Sequence, residues 1–136
     1  MSALAAPLPL PKPRRLVIAD VCSDTRRMIR DALAGIFSDI LESVDGRSLF
    51  WVLEAHLASV NDDVPDLLVI ADERMPVYSG LHALEAWSDV ERSFPFIVLS
   101  SAPDNGVRER VQAMGALLLR KPFSARKLCR IVGQLL

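Results

Sequence analysis

Four polar residues each close, or nearly close, a short apolar run. Asp20 follows RLVIA at 15–19, Asp72 follows LLVIA at 67–71, Ser100 follows FIVL at 96–99, and Lys121 stands just beyond ALLL at 116–119. Two carboxylates are hard oxygen ligands of the kind Mg²⁺ accepts while keeping several waters. A carboxylate is also a nucleophile that can become an acyl phosphate. An amine beside it can neutralise charge on a transferring phosphoryl group, and a hydroxyl can donate to one of its oxygens. The set points to phosphoryl chemistry on an aspartate, provided the fold carries all four run ends to one rim.

The elements that would do this are legible. The runs at 15–19 and 67–71 are apolar almost throughout, as strands buried on both faces are. Ile29, Leu33, Ile36 and Phe37 recur at helical spacing after the first run, with Ser23 or Asp24 placed to cap. A weaker strand at 40–44 leads to an Asp45-Gly46 turn, and Leu49, Leu53, Leu57 and Val60 mark a second helix broken by the polar 61–65. Leu81, Leu84 and Trp87 mark a third helix after Gly80, Val107, Val111 and Met114 a fourth, and Leu128, Ile131, Val132 and Leu135 a fifth. Strict alternation through short links gives right-handed crossovers, hence an α/β doubly wound parallel sheet of five strands with helices on both faces. Ligands in such sheets lie outside the carboxyl ends of the strands. The four polar residues fall there.

Composition narrows the function classes. A chain of 136 residues makes one domain with a real core. A formal net charge of -1 lacks the basic footprint that direct nucleic-acid binding requires. Cys22 and Cys129 are too few for a disulfide framework and fit a reducing, cytoplasmic compartment. No apolar run approaches the roughly 20 residues that span a bilayer, so no membrane partner is expected. At the start, Lys12, Arg14 and Arg15 follow an apolar stretch carrying prolines at 7, 9, 11 and 13, the wrong order and content for a signal peptide. Residues 1–13 read as a Pro-rich extension and 14–136 as the domain.

Asp72-Glu-Arg-Met-Pro76 followed by Gly80 resembles the D-x-x-M-P-x-x-x-G segment of bacterial two-component response-regulator receiver domains (CheY-like). Lys121-Pro122-Phe123 resembles their K-P-F, whose Lys-Pro bond is typically cis. Asp45-Gly46 matches the usual D-G after the second strand, and Arg26 stands where the first helix often carries arginine. The resemblance runs from Arg15 to Leu136. It implies a flavodoxin-like (βα)5 fold of strand order 2-1-3-4-5. It also implies Asp72 as phosphoacceptor, Ser100 as switch hydroxyl and Lys121 as its phosphate-binding salt-bridge partner. Mg²⁺ would be held by Asp20, Asp72 and the backbone carbonyl of Arg74. The implied function is a non-enzymatic phosphorelay switch. It would be charged by a sensor histidine kinase or phosphotransfer protein, with its output, a homodimer or an output domain engaged through the last two helices and the strand between them.

The match has departures. The family's second acid after the first strand is Val21 here, which weakens the metal site. Glu73 is not expected to compensate, since neighbouring strand-end residues point to opposite faces. An Arg74 reaching back would supply positive charge, although a solvent-facing side chain is the simpler expectation. Leu118 stands near the usual switching aromatic, the link from Gly115-Ala116 to Lys121 is one residue short, and the segment from Gly46 to Asp72 is longer than the family's compact form by roughly two helical turns. These features favour an alternative: a phosphorylation-independent pseudo-receiver acting as a protein-interaction module. A phosphatase with an aspartate nucleophile would need a second acid two residues on, where Cys22 and Arg74 stand instead. His56 and His82 read as surface residues, Trp51 and Trp87 as packing, and Arg126, Lys127 and Arg130 as a basic face of the last helix. Cys22 is expected to be unreactive beside its acidic neighbours.

Overall fold

A computed structural model describes residues 13–58, 66–88 and 94–136. Its elements are β1 (Arg14–Ala19), α1 (Ser23–Leu33), β2 (Asp39–Ser43), α2 (Gly46–Leu57) and β3 (Asp66–Asp72), then α3 (Gly80–Ser88), β4 (Phe96–Ser100), α4 (Asn105–Ala113), β5 (Leu117–Arg120) and α5 (Ala125–Leu135). All strand pairs are parallel, in the order β2-β1-β3-β4-β5. Among the described residues the alternation expected from the apolar runs is complete. The extension at 1–13, except Pro13, lies outside the described residues, as do the helix-breaking segment at 61–65 and Val60.

The pleat divides the core into two layers. Val17, Ala19, Val69, Ala71 and Val98 face Leu49 and Leu53 of α2, Leu81 and Leu84 of α3 and Val111 of α4. Leu16, Ile18, Leu68, Ile70, Ile97 and Leu99 face Ile29 and Leu33 of α1 and Leu128 and Val132 of α5. Each such aliphatic side chain, fully buried, stabilises the fold by about 2 kcal/mol before entropy is counted. The three central strands are therefore a rigid base for whatever their ends carry.

Local details differ from the sequence reading for identifiable reasons. The helical spacing through Ile36 and Phe37 overruns α1, which ends at Leu33; Phe37 is buried all the same, from the loop. Neither Ser23 nor Asp24 caps α1. Cys22 takes the N-cap position with no side-chain cap bond, and its N–H instead donates to Asp20 Oδ1 at 2.8 Å. His56 is buried, 8% exposed, not a surface residue. Arg15 Nη1 lies 3.3 Å from its Nδ1, and burial, with the Arg15 charge, holds the ring below its ordinary pKa. Trp51, expected to pack, is 62% exposed with the Arg47 guanidinium over its ring at 5.2 Å. Of the Trp87 side chain nothing is described.

Asp45-Gly46 does more than turn the chain. Asp45 caps α2, its side chain accepting from the Ser48 N–H at 2.8 Å. Gly46 donates its N–H to the Pro76 carbonyl at 3.1 Å, which pins the loop after β3 to the start of α2. A methyl group on Gly46 would sit 2.0 Å from the Tyr78 carbonyl oxygen. That same loop carries Val77 at φ 71°, a left-handed conformation costly for a β-branched residue. Gly46→Ala is expected to cost about 2 kcal/mol in urea unfolding, because backbone must move to admit the methyl. An unchanged midpoint would show that the contact is dispensable.

Candidate functional site

Each site residue is placed by a strand end. Asp20 leaves β1 with its N–H still donating to the Ser43 carbonyl at 3.1 Å, so it stays in register and is fully buried. Asp72 is the last residue of β3, and Ser100 the last of β4. Lys121 follows β5, its N–H donating to the Ser100 carbonyl at 2.8 Å, and precedes a cis bond to Pro122. Gly80 explains the spacing after Asp72. A Cβ there would lie 2.2 Å from the Asp72 carbonyl oxygen, so only glycine lets α3 begin against the strand end.

The two acids share one cation. Asp20 Oδ2 accepts from Lys121 Nζ at 2.7 Å, and Asp72 Oδ2 accepts from the same ammonium. Their other oxygens accept backbone N–H groups: Asp20 Oδ1 from Cys22, and Asp72 Oδ1 from Arg74 at 2.9 Å. Burial pushes the Asp20 carboxyl above the usual range, although the Lys121 hydrogen bond opposes it. Burial alone would lower Lys121, but its bonds to Asp20 and Asp72 and their charges outweigh that and raise it. Arg26 braces the loop from α1. It donates to the Asp20 carbonyl at 2.6 Å and pairs with Glu42 at 3.0 Å. Arg30 joins the same carboxylate at 2.8 Å.

All four run-end residues thus meet on one rim, and a fifth joins them. Glu73 donates its N–H to the Leu99 carbonyl at 2.7 Å, and its carboxylate accepts a hydrogen bond from the Ser100 hydroxyl. The expectation that Glu73 points away from the site is therefore wrong. Strict alternation ends with β3 at Asp72, and the departing chain aims the next side chain back towards β4. No signal in spacing could have found it, though an acid directly after a candidate phosphoacceptor was a reason to look. The Arg74 side chain is exposed, as the simpler expectation had it. Val21 is 58% exposed and adds no oxygen. Cys22 also departs from expectation: hydrogen bonds from Thr25 and the first N–H groups of α1 lower its thiol pKa, outweighing the Asp20 charge.

Among the described residues no group of three or more His, Cys, Asp and Glu side chains is arranged to hold a metal. The Asp20 and Asp72 carboxylates are nevertheless hard oxygen donors brought together at one cation, and Mg²⁺ commonly binds through one or two carboxylates plus phosphate and water. The donor set fits Mg²⁺, sparsely.

Neither a family model nor a curated protein matches the chain. Solved structures do. The chemotaxis protein CheY4 of Vibrio cholerae superposes with TM-score 0.72 at 20% identity, over 91% of this chain and 99% of that one. The signal receiver domain of an HD domain-containing protein from Pseudomonas fluorescens Pf-5 reaches TM-score 0.76 at 17% identity, covering 94% and 90%. This is a CheY-like receiver fold. A chain of the CheX-CheY-BeF3-Mg+2 complex from Borrelia burgdorferi superposes with TM-score 0.74 at 18% identity, covering 90% of this chain and 88% of that one. In this receiver fold the rim built by Asp20, Asp72, Ser100 and Lys121 lies at the carboxyl ends of β1, β3, β4 and β5, the position where doubly wound sheets take their ligands.

Proposed function

We propose that the chain is a phosphorelay receiver that takes a phosphoryl group on Asp72. One observation carries this reading: Asp72 stands at the end of the central strand β3, bonded to Lys121, with Ser100 on the neighbouring strand end. In the transfer, an Asp72 carboxylate oxygen forms a bond to phosphorus as the P–N bond of a phosphohistidine donor breaks, and the freed imidazole keeps the electron pair. Lys121 balances the added negative charge. Asp20, fully buried, keeps Lys121 in place through its own bond. Mg²⁺, held by Asp20, Asp72 and the Arg74 carbonyl, would supply further charge neutralisation on the phosphoryl oxygens.

The output proposed is a change of partners at the α4-β5-α5 face. Of the nine residues of α4, only Val111 is buried, so this helix is lightly anchored and cheap to shift. Ser100 heads the connection into it. Arg126, Lys127 and Arg130 of α5 are all exposed there. The proposed donor is a sensor histidine kinase or phosphotransfer protein in the cytoplasm. Among the described residues no helix is long and apolar enough to cross a membrane.

A second reading, the phosphorylation-independent interaction module, is favoured by the bond that already occupies Ser100. Incubation with acetyl phosphate and Mg²⁺, followed by intact mass, separates the two. A phosphoryl adduct supports the switch, and its absence at saturating donor supports the module. The metal site has its own check. Val21 is exposed, so Val21→Asp adds a carboxylate without disturbing packing, and NMR titration is expected to show Mg²⁺ bound about tenfold tighter. Equal affinity would mean that position 21 does not face the cation.

A further inference from the structure

We infer that Glu73 is an internal competitor for the phosphoryl group, a positioning residue that holds the Ser100 hydroxyl until Asp72 is charged; the competitive half of this rests on the receiver reading above. Ser100 is 1% exposed, and a buried hydroxyl needs a partner. The partner here is the Glu73 carboxylate. A carboxylate acceptor fixes the rotamer of Ser100 more firmly than a neutral acceptor would.

A hydroxyl has one proton to donate. It can serve Glu73 or a phosphoryl oxygen on Asp72, but not both. Glu73 is also the residue next to Asp72, so its charge repels the incoming group. The hydrogen bonds of Lys121 go to Asp20 and Asp72 rather than to Glu73. Arg74 is exposed. Phosphoryl uptake therefore requires Glu73 to give up Ser100 and turn outward. It can do so because it is only half-buried at the rim. The contact also gives the uncharged protein a carboxylate where a receiver's switch hydroxyl would otherwise be waiting for a phosphoryl oxygen.

Two variants separate charge from hydrogen bonding. Glu73→Gln keeps an acceptor and loses the charge, while Glu73→Ala loses both. Under acetyl phosphate and Mg²⁺, the adduct should form about tenfold faster on Glu73→Ala than on wild type, with Glu73→Gln between them. Equal rates overturn the competition. A second measurement needs no phosphorylation: three-bond couplings at Ser100 should report one rotamer in wild type and averaging in Glu73→Ala. An unchanged rotamer distribution overturns the positioning role. If no variant forms an adduct, the competition and the receiver reading fall together, and the couplings alone decide the hold on Ser100.

Discussion

Asp72→Asn protein given acetyl phosphate and Mg²⁺ is expected to show no adduct above background, a loss on the order of a thousandfold or more in rate. An amide oxygen is a poor nucleophile, yet the side chain keeps its shape. It can still accept from the Arg74 N–H, as Asp72 does at 2.9 Å, so the loop after β3 should hold and the variant should fold. Asp20→Asn makes the contrast. It also keeps an acceptor for the Cys22 N–H and removes only the second carboxylate. That variant should be slow but not dead, because the acid that forms the new bond is still there. Adduct on Asp72→Asn, mapped by peptide mass to Asp20 or Glu73, would move the acceptor within the rim and refute the assignment of Asp72.

Lys121→Met is expected to lose about 3 kcal/mol at neutral pH, the scale for removing one partner of a buried ion pair. The side chain is 18% exposed and Asp20 is fully buried, so solvent screens the orphaned acid poorly. The sign with pH follows from the direction of each shift. Lys121 is raised above 10.5, so its stabilisation is full below 10.5 and disappears as pH climbs through the higher folded value. Asp20 is already raised above 3.8 by burial. Without Lys121 it rises further, because the largest opposing interaction is gone. In the variant, lowering the pH protonates Asp20 and returns part of the loss. Urea unfolding at neutral and mildly acidic pH should show the gap to wild type narrowing in acid. A gap independent of pH would mean that packing of the lysine stem, not charge, accounts for the loss.

The fold was legible because its strands are continuous apolar runs. RLVIA, LLVIA and FIVL can be little else between helical periodicities, and the residues that end them are placed by the same fact. Asp20, Asp72, Ser100 and Lys121 meet as the run ends require. What failed was anything decided by direction after an element stops. Glu73 turns to Ser100 once β3 has ended and period-two alternation no longer applies. Phe37 keeps its core contact after α1 has stopped, so a helical spacing persisted without a helix. His56 is buried on α2 with its Nδ1 beside Arg15, far off in sequence; one polar residue among Leu49, Leu53 and Leu57 gives no hint of that. At Cys22 the acidic neighbours suggest an unreactive thiol, whereas the Thr25 side chain and the N–H groups at the start of α1 outweigh Asp20.

The bond from Lys121 to Asp20 joins residues 101 positions apart, so most of the chain separates an acid from its counter-charge. A ribosome delivers the N-terminal strands first. β1 and β3 can be paired, with Asp20 and Asp72 side by side, while the lysine is still inside the exit tunnel. The nascent sheet thus carries an unneutralised acid pair until β5 docks. Docking of this last strand completes the sheet and the pocket in one event, and a chain interrupted before residue 121 is left with its two acids repelling each other.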